Sequence, residues 1–193
     1  MKKIVVLVSG GGTNLQALID YKFENAEISA VISSKKDAYA LIRAKNAGIE
    51  TSVVEKKVFS NDNDYQTALL NELLRQSPDL IVLAGFMSII SEKIIDSFRD
   101  KIINIHPSLI PSFCGDGFYG LRVHKAALQK GVKITGATVH FVNEITDGGK
   151  IIMQKAVEVF DDDTPETLQK RVMEEAEWKI LPLAVEKILG GFR

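Results

Sequence analysis

The chain has 193 residues, of which 46% are hydrophobic, and its 24 basic and 25 acidic residues give a formal net charge of −1. This length and composition are typical of one globular domain with a sizeable core. The balanced charge excludes the basic footprint that a nucleic-acid or anionic-membrane partner needs, so we expect small-molecule ligands. No apolar run approaches the length of a membrane span, and the single Cys114 has no partner for an internal disulfide. Both facts favour the cytoplasm.

The first hundred residues alternate between apolar strands and amphipathic helices. Strands are predicted at 4–8, 27–33, 50–54 and 80–84, and helices from Asn14, at 38–47, at 61–76 and near 91–98. Continuous apolar runs are typical of parallel strands that are covered on both faces. The alternation therefore predicts a Rossmann-like α/β fold, with a mostly parallel, twisted sheet flanked by helices.

The second half departs from this alternation. A strand at 102–106 is followed by a long loop, a helix at about 124–130, and strands at 134–142 and 150–159 that a short turn joins. The short connection predicts antiparallel pairing near the carboxyl terminus. Thr164 and Pro165 predict the start of a terminal helix, which Pro182 should kink or break. We expect a single domain, 1–193.

A glycine-rich turn follows the first strand and opens into a helix. Free backbone N–H groups and the helix dipole converge on an anion at such a turn. Gly10 and Gly12 begin a dinucleotide-binding fingerprint, but Leu15 occupies its third glycine position, so we favour a phosphate monoester. A tight turn that binds nothing is the alternative. No Walker lysine follows the glycines, and the loop gives no sign of an ATP-driven reaction.

Two polar residues lie in the strand predicted at 102–106. Because successive strand side chains alternate, Asn104 and His106 share one face, and Pro107 places them at the strand's carboxyl end, where open α/β sheets hold their ligands. An amide can donate to a developing oxyanion, and an imidazole can move a proton near neutral pH. A half-exposed edge strand with a polar face is the alternative.

Asp147 is a further acidic candidate, in the turn between the last two strands. Because this turn and His106 should end at the same edge of the sheet, we expect Asp147 to raise the His106 pKa and to increase its protonated population near neutral pH. An ordinary Asp-Gly turn is the alternative. We expect His140 to be a hydrogen-bonded core residue and His124, at a helix start, to lie on the surface.

Four stretches carry a resemblance to a known family, and they occur in order from the first strand onward: 9–16, 84–87, 104–111 and 147–149. They resemble the phosphoribosylglycinamide formyltransferases, which are folate-dependent enzymes of purine synthesis. The Asn-x-His-Pro-Ser-Leu stretch alone is shared with formyltetrahydrofolate hydrolases and methionyl-tRNA formyltransferases. The glycine loop distinguishes the phosphoribosylglycinamide enzymes from both.

The resemblance implies that 10-formyltetrahydrofolate, as cosubstrate, donates a formyl group to the amine of 5-phosphoribosylglycinamide, without a metal or ATP. It implies a catalytic set of Asn104, His106 and Asp147. The implied substrate-binding residues are Gly10, Gly11, Gly12, Thr13, Asn14 and Glu177. The implied folate-binding residues are Met87, Ser88, Ile89 and Ile90, together with Asn104. By the same resemblance the Ile110–Pro111 bond is cis, residues 1–100 form a phosphate-binding half, and residues 101–193 form a catalytic and folate-binding half.

Two segments depart from the family pattern. Some members have an arginine for the folate tail where this chain has Asn61–Asp64, and the insert Gly115–Val123 is longer than in many members. A formyltetrahydrofolate hydrolase would use the same catalytic residues to deliver water, but hydrolases of the family usually carry an amino-terminal regulatory domain, whereas this sequence opens on strand one. A non-catalytic sensor of a phosphate ligand is a third hypothesis. Either a monomer or a homodimer is compatible with the sequence.

Overall fold

The computed structural model describes residues 1–190. The strands are β1 Lys2–Val8, β2 Ala26–Ser33, β3 Glu50–Val53, β4 Leu80–Leu83, β5 Ile102–His106, β6 Ile134–Phe141 and β7 Ile151–Glu158. They form one sheet in the order β3-β2-β1-β4-β5-β6-β7. The first five pair in parallel, and the β5-β6 and β6-β7 pairs are antiparallel. The predicted fold class is confirmed, including the antiparallel pairing near the carboxyl terminus.

Helices cover both faces of this sheet. They are α1 Thr13–Asp20, α2 Tyr39–Asn46, α3 Asp62–Gln76, α4 Glu92–Ser97, α5 Leu121–Lys130, α6 Pro165–Val172 and α7 Trp178–Leu189. The central strand β1 is buried on both sides: Ile4 and Val6 pack in the core that includes α1, and Val5 and Leu7 pack in the core that includes α3. This two-sided burial explains the continuous apolar run. No helix within residues 1–190 is both long enough and apolar enough to span a membrane.

The order of the strands decides where a ligand can bind. The chain leaves β1 toward β2 on one side, and later returns to place β4 on the other side of β1. The loops that follow β1 and β4 therefore separate at the carboxyl edge of the sheet and leave a crevice between them. The glycine loop lies on one side of this crevice, and residues 84–90 lie on the other.

Pro182 does not break the terminal helix, so that part of its prediction was wrong. Thr164 caps α6 through its side chain and Pro165 occupies the first turn, as predicted, but Pro182 lies inside α7 and the helix continues to Leu189. The irregularity is instead a π-helical turn at Met173–Glu177. Proline removes one helical hydrogen bond, and the buried face of α7 against α1 offsets that loss.

The prediction for His124 was also wrong. Helix α5 begins at Leu121, three residues before the predicted start, and its inward face carries Val123, His124 and Ala127. His124 is 0% exposed, and neither ring nitrogen has a hydrogen-bond partner among residues 1–190. Burial, with a smaller contribution from the charge of His106, lowers the pKa of His124 to about 4. His124 is therefore a neutral core residue at physiological pH.

Candidate active site

A cleft of ≈ 610 Å³ opens at the carboxyl edge of the sheet. Its walls come from the segment after β4, the end of β5, the loop before α5, the β6-β7 turn and the π-helical turn. The catalytic and folate-binding residues predicted from the sequence line it, together with two of the predicted substrate-binding residues: Asn14, Met87, Ser88, Ile89, Ile90, Asn104, His106, Asp147 and Glu177. Gly10, Gly11, Gly12 and Thr13 do not line it, and Asn14 connects them to the cleft. Segments that are far apart in sequence therefore meet around one cleft.

Strand β5 supplies Asn104 and His106 on one face, as the alternation predicted. His106 is 4% exposed, and its Nε2 donates to the Phe113 carbonyl oxygen at 2.9 Å. Its Nδ1 lies 3.4 Å from the Asp147 Oδ2 atom. Both ring nitrogens thus face oxygen acceptors. This arrangement favours the imidazolium over the neutral ring, because only the imidazolium has a hydrogen on each nitrogen.

The β6-β7 turn holds Asp147 in a restricted geometry. Asp147 has φ of 55°, a left-handed conformation that Asp and Asn tolerate better than most residues. Its Oδ2 atom accepts the backbone N–H of Gly115 at 2.9 Å. A Cβ atom at Gly149 would lie 1.7 Å from the Phe141 carbonyl oxygen, so only glycine allows this close return of the chain. The turn therefore fixes the carboxylate beside His106.

The electrostatics of this pair differ in part from the expectation. Burial lowers the pKa of His106 below its ordinary value, and the Asp147 charge and the Phe113 carbonyl oppose that effect without reversing it. Asp147 does favour the charged imidazole, as predicted, but the net shift of the His106 pKa is downward, because burial dominates. Burial also acts to raise the pKa of Asp147, yet the nearby His140 ring, the hydrogen bond from the Gly115 amide and the positive charge of a protonated His106 hold that pKa below its ordinary value.

His140 belongs to the same cluster, which the sequence did not indicate. It is buried and hydrogen-bonded, as predicted: Nδ1 donates to the Phe141 carbonyl oxygen at 2.8 Å. Its Nε2 lies 3.2 Å from Asn104 Nδ2 and 3.5 Å from Asp147 Oδ1. The antiparallel register, which sets Asn104 opposite His140, produces this contact. The Asn104 amide nitrogen has two donors, so one contacts His140 and the second remains for a ligand.

The glycine loop leads into α1 with its amides unpaired. Gly12 is the N-cap residue with φ of 73°, and no side chain caps the helix. Within residues 1–190 the amides of Gly11 and Gly12 donate no hydrogen bond. A Cβ atom at Gly10 or Gly11 would meet nothing within 4 Å, whereas one at Gly12 would lie 2.6 Å from the Ala40 Cβ atom. The loop has the open, donor-rich surface that suits an anion.

Asn14 and Glu177 connect the glycine loop to the cleft. Asn14 Nδ2 donates to Glu177 Oε2 at 2.7 Å, across a separation of 163 residues. Glu177 is 6% exposed, and burial raises its pKa to about 7, against the smaller opposing effect of the Asn14 hydrogen bond. A carboxyl in this state can both donate to and accept from a ligand hydroxyl near neutral pH.

Comparison with known proteins tests the family resemblance. Residues 2–185 match the family described as formyl transferase. The chain belongs to the formyl transferase family. It is 44% identical over 194 residues to phosphoribosylglycinamide formyltransferase of Haemophilus influenzae, a match that covers 99% of this chain and 89% of the relative. It is also 44% identical over 192 residues to the human trifunctional purine biosynthetic protein adenosine-3, covering 98% of this chain and 18% of that protein.

Solved structures agree with these relatives. Glycinamide ribonucleotide transformylase 1 from Symbiobacterium toebii superposes with a TM-score of 0.92 at 38% identity, covering 99% of this chain and 89% of that chain. Phosphoribosylglycinamide formyltransferase from Brucella melitensis gives a TM-score of 0.88 at 42% identity, covering 100% and 97% of the two chains. The resemblance stated from the four sequence stretches is confirmed.

Two side chains that the sequence did not single out hold the segment Met87–Ile90. The Ser9 hydroxyl oxygen accepts a hydrogen bond from the backbone N–H of Met87 at 2.8 Å. Gln66 donates to the Ile89 carbonyl oxygen at 2.8 Å and accepts the Ser91 amide at 3.1 Å. A buried glutamine in the first half of α3 could have suggested this role, because its amide needs partners.

The two segments that depart from the family pattern have local roles in the structure. Asn61 caps α3 by accepting the Asp64 amide at 2.9 Å, and Asp62 pairs with Lys56 at 2.6 Å. In the insert, the part from Gly115 to Gly120 lines the cleft. The Ile110–Pro111 bond before it is cis, which confirms that prediction.

Proposed function

We propose that the protein transfers the formyl group of 10-formyltetrahydrofolate to the amine of 5-phosphoribosylglycinamide. The observation that supports this most strongly is that one cleft joins two chemically different ends. At one end lie Asn104, His106 and Asp147, which suit acyl transfer. At the other end Asn14 and Glu177 lead to the unpaired amides of the glycine loop, which suit a phosphate and its ribose.

The acyl-transfer end supplies a donor and a proton carrier. In this proposal the amine attacks the formyl carbon, the new C–N bond forms, and the bond from that carbon to the folate nitrogen breaks. Asn104 donates to the oxygen that becomes negative. His106 passes a proton to the departing folate nitrogen, and the proton that the amine loses restores it. Asp147 favours the charged imidazole at the moment the oxyanion develops.

The binding end separates the two substrates. Gly10, Gly11, Gly12, Thr13 and Asn14 surround the phosphate, and Glu177 hydrogen-bonds the ribose hydroxyls. Residues Met87–Ile90 contact the pterin, and the backbone that Ser9 and Gln66 hold presents fixed donors and acceptors to that ring. This division places the amine of one substrate next to the formyl group of the other, beside His106.

One assay tests the proposal. The purified protein is mixed with both substrates, and the products are followed by mass spectrometry. We expect formylated phosphoribosylglycinamide and tetrahydrofolate in equal amounts. Formate released when phosphoribosylglycinamide is omitted, at the same rate as when it is present, would indicate a hydrolase instead. Binding of phosphoribosylglycinamide without any turnover would indicate a sensor of a phosphate ligand.

A further inference from the structure

Helix α2 contacts the carbonyl groups of the glycine loop. The backbone N–H of Ala40 donates to the Gly10 carbonyl oxygen at 3.0 Å. Three residues further on, the Nε of Arg43 donates to the Gly11 carbonyl oxygen at 2.9 Å. Two consecutive carbonyl groups of the loop are therefore bonded to a single helix.

These two bonds determine where the loop amides point. In a planar trans peptide the carbonyl group of one residue and the N–H of the next point in opposite directions. Because the Gly10 and Gly11 carbonyls are directed to α2, the N–H groups of Gly11 and Gly12 are turned away from it. These are the same amides that donate no hydrogen bond within residues 1–190. Successive amides with a shared direction form an anion-binding concavity.

Arg43 is itself held in place, so it can act as a fixed support. Its Nη1 donates to Gln16 Oε1 on α1 at 3.0 Å, and its guanidinium carbon lies 5.1 Å from the centre of the Tyr39 ring. The guanidinium thus joins α1, α2 and the loop. A lysine at this position would keep the charge, but its point-like ammonium lacks the planar fork that reaches both oxygens.

We propose that Arg43 is a positioning residue for the phosphate of phosphoribosylglycinamide: by holding the Gly11 carbonyl it orients the Gly12 amide before the substrate arrives. This inference rests on the proposed function. Arg43 does not touch the phosphate in this proposal. It lowers the cost of ordering the loop, and so it affects the affinity for the phosphate more than the chemical step.

The test compares Arg43→Met and Arg43→Lys with the wild type in steady-state kinetics. We expect both variants to raise KM for phosphoribosylglycinamide about tenfold, with kcat and the folate KM changed less than about threefold, because the loss falls on binding of one substrate. With the dephosphorylated substrate, ribosylglycinamide, the variants and the wild type should have equal kcat/KM. Arg75→Met is the matched control, because among the described residues Arg75 pairs with Glu50 and Glu72 and with no residue of the glycine loop.

A second readout does not depend on turnover. In ¹⁵N relaxation spectra of the substrate-free protein, the Gly11 and Gly12 amides should be more mobile in Arg43→Lys than in the wild type, and unchanged in Arg75→Met. Full recovery of KM in Arg43→Lys would overturn the proposal, because charge alone would then suffice. Equal losses with ribosylglycinamide, or unchanged amide mobility, would also overturn it. If the wild type transfers no formyl group, the proposed function fails, and the relaxation experiment still tests the role of Arg43.

Discussion

Replacing Glu177 with glutamine should make the protein more stable at alkaline pH than the wild type. Glu177 is 6% exposed, and burial raises its pKa from an ordinary 4.5 to about 7. Glutamine has nearly the same shape and keeps an oxygen that can accept the hydrogen bond of 2.7 Å from Asn14. The substitution therefore removes a titrating group with little change in packing.

The size and sign of the effect follow from proton linkage. A carboxyl whose pKa is raised in the folded state contributes stability fully below pH 4.5, and this contribution is lost as the pH rises through about 7. At about 1.4 kcal/mol for each pH unit between the two pKa values, the loss reaches about 3 kcal/mol. Because glutamine does not titrate, the free energy of unfolding of the variant minus that of the wild type should rise by about 3 kcal/mol between pH 4.5 and pH 8.

Urea unfolding of both proteins at several pH values across this range measures the difference. Glu174→Gln is the matched control, because Glu174 lies in the same π-helical turn with an exposed side chain, where a single charge contributes little. The control should differ from the wild type by a constant amount at every pH. A constant difference for Glu177→Gln as well would refute the reasoning, since it would mean that burial does not change the ionisation of Glu177.

Four further substitutions test other parts of the molecule. Asp147→Asn keeps a residue that tolerates φ of 55° and removes the charge. It should lower kcat about 10²-fold and lower the His106 pKa in an NMR titration. If neither value changed, Asp147 would have a role only in the turn. Gly11→Val should raise KM for phosphoribosylglycinamide far more than KM for the folate, without altering urea unfolding. Equal effects of Gly11→Val on both KM values would contradict the phosphate assignment. Gly12→Ala should lower the free energy of unfolding by about 2 kcal/mol, because its Cβ atom would collide with α2. The free energy of unfolding of His124→Leu minus that of the wild type should be about 2 kcal/mol larger at pH 5 than at pH 8. The reason is that a histidine whose pKa is depressed to about 4 in the folded protein destabilises it as the pH falls below 6.5. A difference that does not depend on pH would contradict this.

The catalytic face of β5 could be predicted from the sequence because it depends only on neighbours along the chain. Side chains of a strand alternate between its faces, so Asn104 and His106 share a face in any strand that contains both. The glycine loop was equally accessible, since its position between an apolar run and an amphipathic helix is a local property. The continuous apolar run of β1 also predicted burial on both faces, which the two cores confirm.

Other features depended on which distant segments pack together. His140 enters the site only because the antiparallel register sets it opposite Asn104. His124 is buried because the face of α5 that carries it packs inward, and no strong capping residue marks the start of this helix at Leu121 in the sequence. In both cases a shift of one residue would turn the side chain elsewhere, and the local pattern is compatible with either arrangement.

The electrostatics of the site were determined by tertiary structure almost entirely. The sequence indicated that Asp147 would favour a charged His106, because opposite charges attract wherever they meet. Burial in the folded protein instead lowers the His106 pKa below its ordinary value, and burial also raises the pKa of Glu177 to about 7. Desolvation depends on every atom that surrounds a group, and those atoms come from segments as far apart as Asn14 and Glu177. A chain can therefore specify its reactive groups locally, while their protonation states are a property of the packed molecule.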